Sequence, residues 1–288
     1  MVISGKTQVY GVIGDPIQHT LSPAMHNAAF SHLKLDYIYL AFRVQAADLE
    51  NAMRGIRSLG IRGLNVTMPH KTAVTAYLDK IDSTVKFLGS ANTILNKDGK
   101  LYGFNTDGEG ASRALKENGV DFNGKTVLLL GAGGAAKAIA HAIAQEASEL
   151  RILNRAPEKA QWLASELNRA FGNKVISDAL SPSTIKENMR GADVLINATS
   201  VGMHPNINES LVSPHWLNSE MCVMDIVYNP LETKLARDAK AAGARVISGL
   251  EMLLYQGAAS FEIWTGRKAP IEIMRAAALT QITRGASV

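Results

Sequence analysis

Short apolar runs alternate with segments whose apolar positions recur at helical spacing, almost from one end of the chain to the other. Residues 9–13 (VYGVI), 37–42 (YIYLAF) and 61–66 (IRGLNV) read as strands. Ser22 and Pro23 read as an N-cap and first helical position, opening a helix to about residue 32. Leu49, Met53, Ile56 and Leu59 line one face of a helix over about 48–59. The runs 92–96 and 100–104 flank Lys97-Asp98-Gly99 and predict a β-hairpin with an Asp-Gly turn. Helices are predicted at about 107–118, from the Gly-rich turn to 147, and at 157–171, 231–242, 250–264 and 270–283, with a short one after residue 177. Between them, 126–130, 150–154, 174–177, 193–198, 222–227 and 245–248 read as strands. Repeated βα units predict an α/β chain with parallel sheets covered on both faces.

The alternation excludes a tandem repeat or low-complexity tract, and the length of 288 residues suits two domains. Apolar residues make up 47% and charged residues 19%, which excludes a disordered chain. The net charge of +4 comes from interspersed residues, without the basic run that nucleic-acid binding would need. The longest apolar region, residues 126–144, is broken by glycines, Lys137 and His141 and does not read as a membrane span. No signal peptide is expected at the amino terminus. Cys222 is the only cysteine and reads as a buried thiol in a reducing, cytoplasmic setting. The histidines, His19 and His26 among them, show no metal-ligand spacing, so no metal is expected.

Candidate chemistry enters with residues 126–140. Gly131, Gly133 and Ala136 form G-x-G-x-x-A directly after a predicted strand and opening a helix. Such a turn brings backbone close to a pyrophosphate at a helix N-terminus. At the end of the next strand an NAD site would carry an acid for the ribose 2′-hydroxyl. Asn154, Arg155 and Lys159 stand there instead, and a guanidinium suits the 2′-phosphate of NADP. Polar groups also gather at strand ends elsewhere: 19–23, 65–71, 90–93, 105–108, 228–230 and 255–257. Open α/β sheets bind ligands at such ends, and this inventory of hydroxyls, amides, one ammonium and one carboxylate suits a small hydroxylated acid. In 65–71, NVTMPHK, Pro69 is expected to open a helix that aims Lys71 back at the strand end, with His70 as a neighbour without a role. Along residues 251–264 Gln256 reads as the polar exception on a core-facing helix.

Together these motifs, with Asn197–Met203 (NATSVGM), Tyr228-Asn229-Pro230 and Gln256-Gly257, resemble the shikimate dehydrogenase family over about residues 9–265. The resemblance implies an N-terminal α/β substrate domain, residues 1–106, completed by helices from about 250–288 that return to it. It implies a Rossmann domain for NADP over 107–249. It implies reversible reduction of 3-dehydroshikimate to shikimate, with Lys71 and Asp107 as the catalytic pair. Thr20, Ser22, Asn65, Thr67, Asn92, Tyr228 and Gln256 would hold the carboxylate and hydroxyls. Gly131, Ala132, Gly133, Gly134 and Ala135 would cradle the cofactor. Asn154, Arg155 and Lys159 would meet its 2′-phosphate, and Thr199, Ser200, Gly202, Met203, Gly249 and Met252 its nicotinamide side. Thr20 replaces the family's usual serine, and Ala156 a frequent threonine. A homodimer is compatible with this reading. The alternatives are a quinate/shikimate dehydrogenase using NAD(P) and a non-catalytic NADP-binding sensor. Short-chain dehydrogenase chemistry is disfavoured, because none of the seven tyrosines is followed by lysine four residues on.

Overall fold

Strands and helices alternate through a computed structural model that describes residues 3–172 and 174–285. The chain divides into two compact units, one up to Thr106 and again from Gln256 onward, the other Asp107–Tyr255.

The first unit carries a six-stranded mixed sheet in the order β2-β1-β3-β5-β6-β4. Strands β1 (Gln8–Gly14), β2 (Tyr37–Arg43) and β3 (Gly63–Val66) run parallel, linked by helices α1 (Ser22–His32) and α2 (Leu49–Ser58). Beyond β4 (Lys80–Ile81) and α3 (Ser83–Leu88), β5 (Thr93–Lys97) and β6 (Lys100–Phe104) form an antiparallel hairpin. The hairpin makes this sheet mixed rather than parallel, since β5 pairs antiparallel with β3. Asp98 (φ 53°) and Gly99 (φ 81°) both adopt left-handed backbone, as a two-residue turn of matching twist requires. One face buries Ile13, Met53, Ile56, Leu64, Val66, Val74, Ile94 and Leu101. On the other face Tyr10, Phe30, Tyr37, Tyr39, Phe261 and Trp264 surround His26.

The second unit holds a six-stranded parallel sheet in the order β12-β11-β10-β7-β8-β9. These are β7 (Thr126–Leu130), β8 (Glu149–Asn154), β9 (Val175–Ala179), β10 (Val194–Asn197), β11 (Cys222–Asp225) and β12 (Arg245–Ile247). The strand order is that of a doubly wound dinucleotide fold, with its switch point between β7 and β10. The connecting helices are α4 (Asp107–Glu117), α5 (Gly134–Ile143), α6 (Pro157–Phe171), α7 (Pro182–Asn188) and α8 (Lys234–Ala241). Helix α9 (Gly249–Thr265) starts in this unit and ends in the first, where α10 (Ile271–Gly285) packs on α1. Burial pushes the Cys222 thiol up to about 11. No helix among the described residues is long and apolar enough to cross a membrane.

Candidate active site

Two expectations about local structure change where the candidate residues sit. Ser22 is not an N-cap: α1 is preceded by Leu21, whose side chain cannot cap, and Ser22 is already helical. Its hydroxyl is therefore spared from the helix terminus and accepts from Thr20 Oγ1 at 3.3 Å. Pro69 does not open an α-helix. The Met68–Pro69 bond is cis, residues 69–72 turn, and a 3-10 helix follows at Ala73–Tyr77. His70 N–H bonds to Thr67 O (2.9 Å) and its buried imidazole Nε2 lies 2.7 Å from Val44 O. A carbonyl only accepts, so Nε2 carries the proton. His70 is thus an anchor of the Lys71 turn rather than an idle neighbour. On the far side the Lys71 carbonyl accepts from Ala91 N–H at 2.8 Å, tying the turn to the Ala91-Asn92 loop.

Around that loop the first unit assembles a buried polar network. Asn65, at the end of β3, donates through Nδ2 to Ser260 Oγ (2.9 Å) and Asn92 O (3.2 Å). Its Oδ1 accepts from Tyr39 Oη at 2.7 Å. Asn92 Oδ1 accepts from Thr106 N–H (2.8 Å) and Thr93 Oγ1 (2.9 Å), and its Nδ2 donates to Thr106 Oγ1 at 3.0 Å. Asn92 Nδ2 also reaches Gln256 Oε1 at 3.4 Å. The Gln256 carbonyl accepts from Thr106 Oγ1 and Ser260 Oγ, each at 3.0 Å. Asn65, Asn92 and Gln256 are thus linked within one unit, where Thr20 and Ser22 form a separate bonded pair and Lys71 lies on the turn that follows Thr67. Asp107 follows Thr106 directly and begins α4, where a carboxylate suits the positive helix end.

The sequence pattern singles out neither Tyr39 nor Ser260, and it places Thr93 and Thr106 in the polar groups 90–93 and 105–108 without a role; all four are buried. The available signal was Ser260, one helical turn beyond Gln256 on the core-facing stripe. Tyr39 looked like an ordinary strand aromatic. Burial drives its phenol well above the ordinary range, opposed by a hydrogen bond from Ser22.

In the second unit a cleft of about 330 Å³ opens at the switch point, lined by Gly131, Ala132, Gly133, Asn154, Arg155, Lys159, Thr199 and Ser200 among others. Gly131 has φ 112°, and a Cβ there would stand 2.8 Å from Ala198 O, so glycine is required by both conformation and space. At Gly133 and Gly134 a Cβ would meet nothing within 4 Å, which leaves open room over the α5 N-terminus. No side chain caps that terminus. Arg155 and Lys159 are exposed at the rim, and Asn154 Nδ2 braces the loop by donating to Ala156 O at 3.0 Å. A phosphorylated dinucleotide fits this donor set: open amides for the pyrophosphate, two cations for a further phosphate, and no competing acid at the β8 tip.

The remaining candidates lie outside that lining. Met203 is 46% exposed and Tyr228 38% exposed. A Cβ on Gly249 would lie 2.4 Å from Ile226 O, so close backbone packing accounts for that glycine. Asp225 organises the loop between β11 and α8 that bears Tyr228. It accepts from Thr233 Oγ1 (2.6 Å), Asn197 Nδ2 (3.0 Å) and Val227 N–H (3.1 Å). Burial raises its carboxyl, while those three bonds lower it.

The sequence matches the shikimate dehydrogenase substrate binding domain over residues 12–94. It matches the shikimate/quinate 5-dehydrogenase domain over 112–237 and the shikimate 5'-dehydrogenase C-terminal domain over 249–279. A shikimate dehydrogenase (NADP(+)) of Methanopyrus kandleri is 47% identical, covering 97% of this chain and 98% of the relative. A solved shikimate dehydrogenase in complex with NADP+ superposes with a TM-score of 0.92 at 44% identity, covering 98% of each chain. The Listeria monocytogenes shikimate 5-dehydrogenase, solved with shikimate and NAD, gives 0.91 at 40% identity, covering 95% of this chain and 97% of that one.

Proposed function

This chain belongs to the shikimate dehydrogenase family, and we propose that it interconverts shikimate and 3-dehydroshikimate with NADP(H), a step of aromatic amino acid biosynthesis. Residues 1–106, completed by about 250–288, form the substrate domain in this reading, and 107–249 the cofactor domain.

Oxidation of a secondary alcohol removes a proton from oxygen and a hydride from carbon. Bound NADP supplies the hydride acceptor, and NADPH the donor in reverse. Lys71 takes the hydroxyl proton in oxidation and returns it in reduction, as a coupled unit with Asp107. Thr20, Ser22, Asn65, Thr67, Asn92, Tyr228 and Gln256 hold the carboxylate and ring hydroxyls, which orients the reacting carbon. Gly131, Ala132, Gly133, Gly134 and Ala135 receive the pyrophosphate. Asn154, Arg155 and Lys159 receive the 2′-phosphate. Thr199, Ser200, Gly202, Met203, Gly249 and Met252 border the nicotinamide. The reading also puts the enzyme in the cytoplasm and is compatible with a homodimer.

The observation that carries this reading is the amide network of buried Asn65 and Asn92 with half-buried Gln256, hydrogen-bonded to the turn that bears Lys71. The test is cofactor consumption with NADPH or NADH against 3-dehydroshikimate or 3-dehydroquinate. Turnover should be fastest for NADPH with 3-dehydroshikimate. Preference for 3-dehydroquinate, or binding of NADPH without turnover of either ketone, sinks it.

A further inference from the structure

We propose that Tyr39 is a positioning residue for substrate binding, its phenol setting which end of the Asn65 carboxamide faces the ligand. The inference rests on the reading that Asn65 binds substrate.

Asn65 is a symmetric-looking group with opposite chemistry at its two ends: an acceptor oxygen and a donor nitrogen of nearly equal size. Something must hold the amide against a half-turn. Ser260 Oγ gives its one proton to the Gln256 backbone carbonyl, so toward Asn65 it accepts, from Nδ2 at 2.9 Å, and holds the nitrogen end. Asn92 O accepts only, and at 3.2 Å it is a long contact. The short bond is from Tyr39 Oη to Asn65 Oδ1 at 2.7 Å. The phenol proton is thereby committed to Asn65 Oδ1 and fixes the oxygen end of the amide.

Tyr39 itself is held rigidly. Its ring is 1% exposed and stacks on His26 with centroids 4.4 Å apart and planes 13° from parallel. Its backbone is clamped by Asn27, which donates Nδ2–H to Tyr39 O (2.9 Å) and accepts Tyr39 N–H (2.8 Å). A phenol fixed at both ring and backbone can fix its partners. Buried at its own position, the phenol acts through Asn65.

The test is steady-state kinetics of the full-length chain carrying Tyr39→Phe, Asn65→Ala, or both. Phenylalanine keeps the ring, the stack and the backbone clamp, and loses only the hydroxyl. We expect the KM for shikimate to rise roughly tenfold, the worth of one hydrogen bond that orients a ligand group. Turnover and the KM for NADP should stay within about twofold, a split that general destabilisation does not produce. In the Asn65→Ala background, Tyr39→Phe should add little further. An unchanged KM in Tyr39→Phe beside a raised KM in Asn65→Ala overturns this inference and leaves the proposed function standing. An equal tenfold effect in both backgrounds overturns it as well. Failure of the wild-type chain to turn over shikimate removes the functional reading and this inference together.

Discussion

At the residue scale the sharpest contrast lies between His26 and Lys71. Both ring nitrogens of His26 are buried without a hydrogen-bond partner, inside the aromatic cluster of the first unit. Desolvation lowers its pKa to about 3. The sign follows from linkage. Above the unfolded value near 6.5 the imidazole is neutral in both states, and its full contribution to stability is present. As pH falls toward 3, the unfolded chain takes up the proton and the folded chain does not. Stability is lost across that window, by about 2 kcal/mol between pH 6.5 and 5. Urea unfolding at pH 7 and pH 5 should show a smaller loss for His26→Phe than for wild type; equal losses would refute the assignment. Lys71 sits partly buried on a turn held by His70 and Ala91. Lys71→Ala should lower kcat by about 10²–10⁴ while substrate affinity stays close to wild type. Pre-steady-state measurements decide this, and weaker binding at unchanged turnover would contradict a proton-transfer role.

At the element scale, one of the contacts that seat α9 in the first unit needs a missing side chain. Trp264 Nε1 donates to Ile94 O at 2.9 Å, and the indole packs against β3 at Gly63. A Cβ at Gly63 would stand 2.5 Å from Trp264 Nε1. The helix carries Gln256 and Ser260 into the amide network, so its seat and the site are coupled. Gly63→Ala should cost about 2 kcal/mol through overpacking and lower the thermal midpoint by a few degrees. It should also raise the KM for substrate. A wild-type melting curve would show that the indole yields without cost. The hairpin, the βα turn at Gly131 and the helix over Pro157–Phe171 were legible beforehand, since local rules govern each. The turn after Pro69 was not, because its geometry depends on bonds to Val44 and Ala91, distant in sequence.

At the scale of the whole molecule, one unit gathers a network of hydroxyls and amides and the other a cleft bordered by cations at a sheet switch point. The proposed cofactor choice belongs to this scale, since Arg155 and Lys159 are exposed and border the cleft. Arg155→Ala should raise the KM for NADP roughly ten- to a hundredfold and leave that for NAD nearly unchanged, since only NADP carries the 2′-phosphate. Parallel titration of both cofactors checks this. Equal weakening of both would mean that Arg155 shapes the loop rather than reading the phosphate.

The alternation of elements, the Gly131–Ala136 turn, the basic tip of β8 and the polar strand ends are all written in residues close together along the chain. Packing between distant segments is what frees Ser22 from capping, makes His70 an anchor of the Lys71 turn, and bonds Tyr39, Thr93, Thr106 and Ser260 to Asn65 and Asn92. Buried polar groups must find partners, and which partner each finds depends on how distant segments pack.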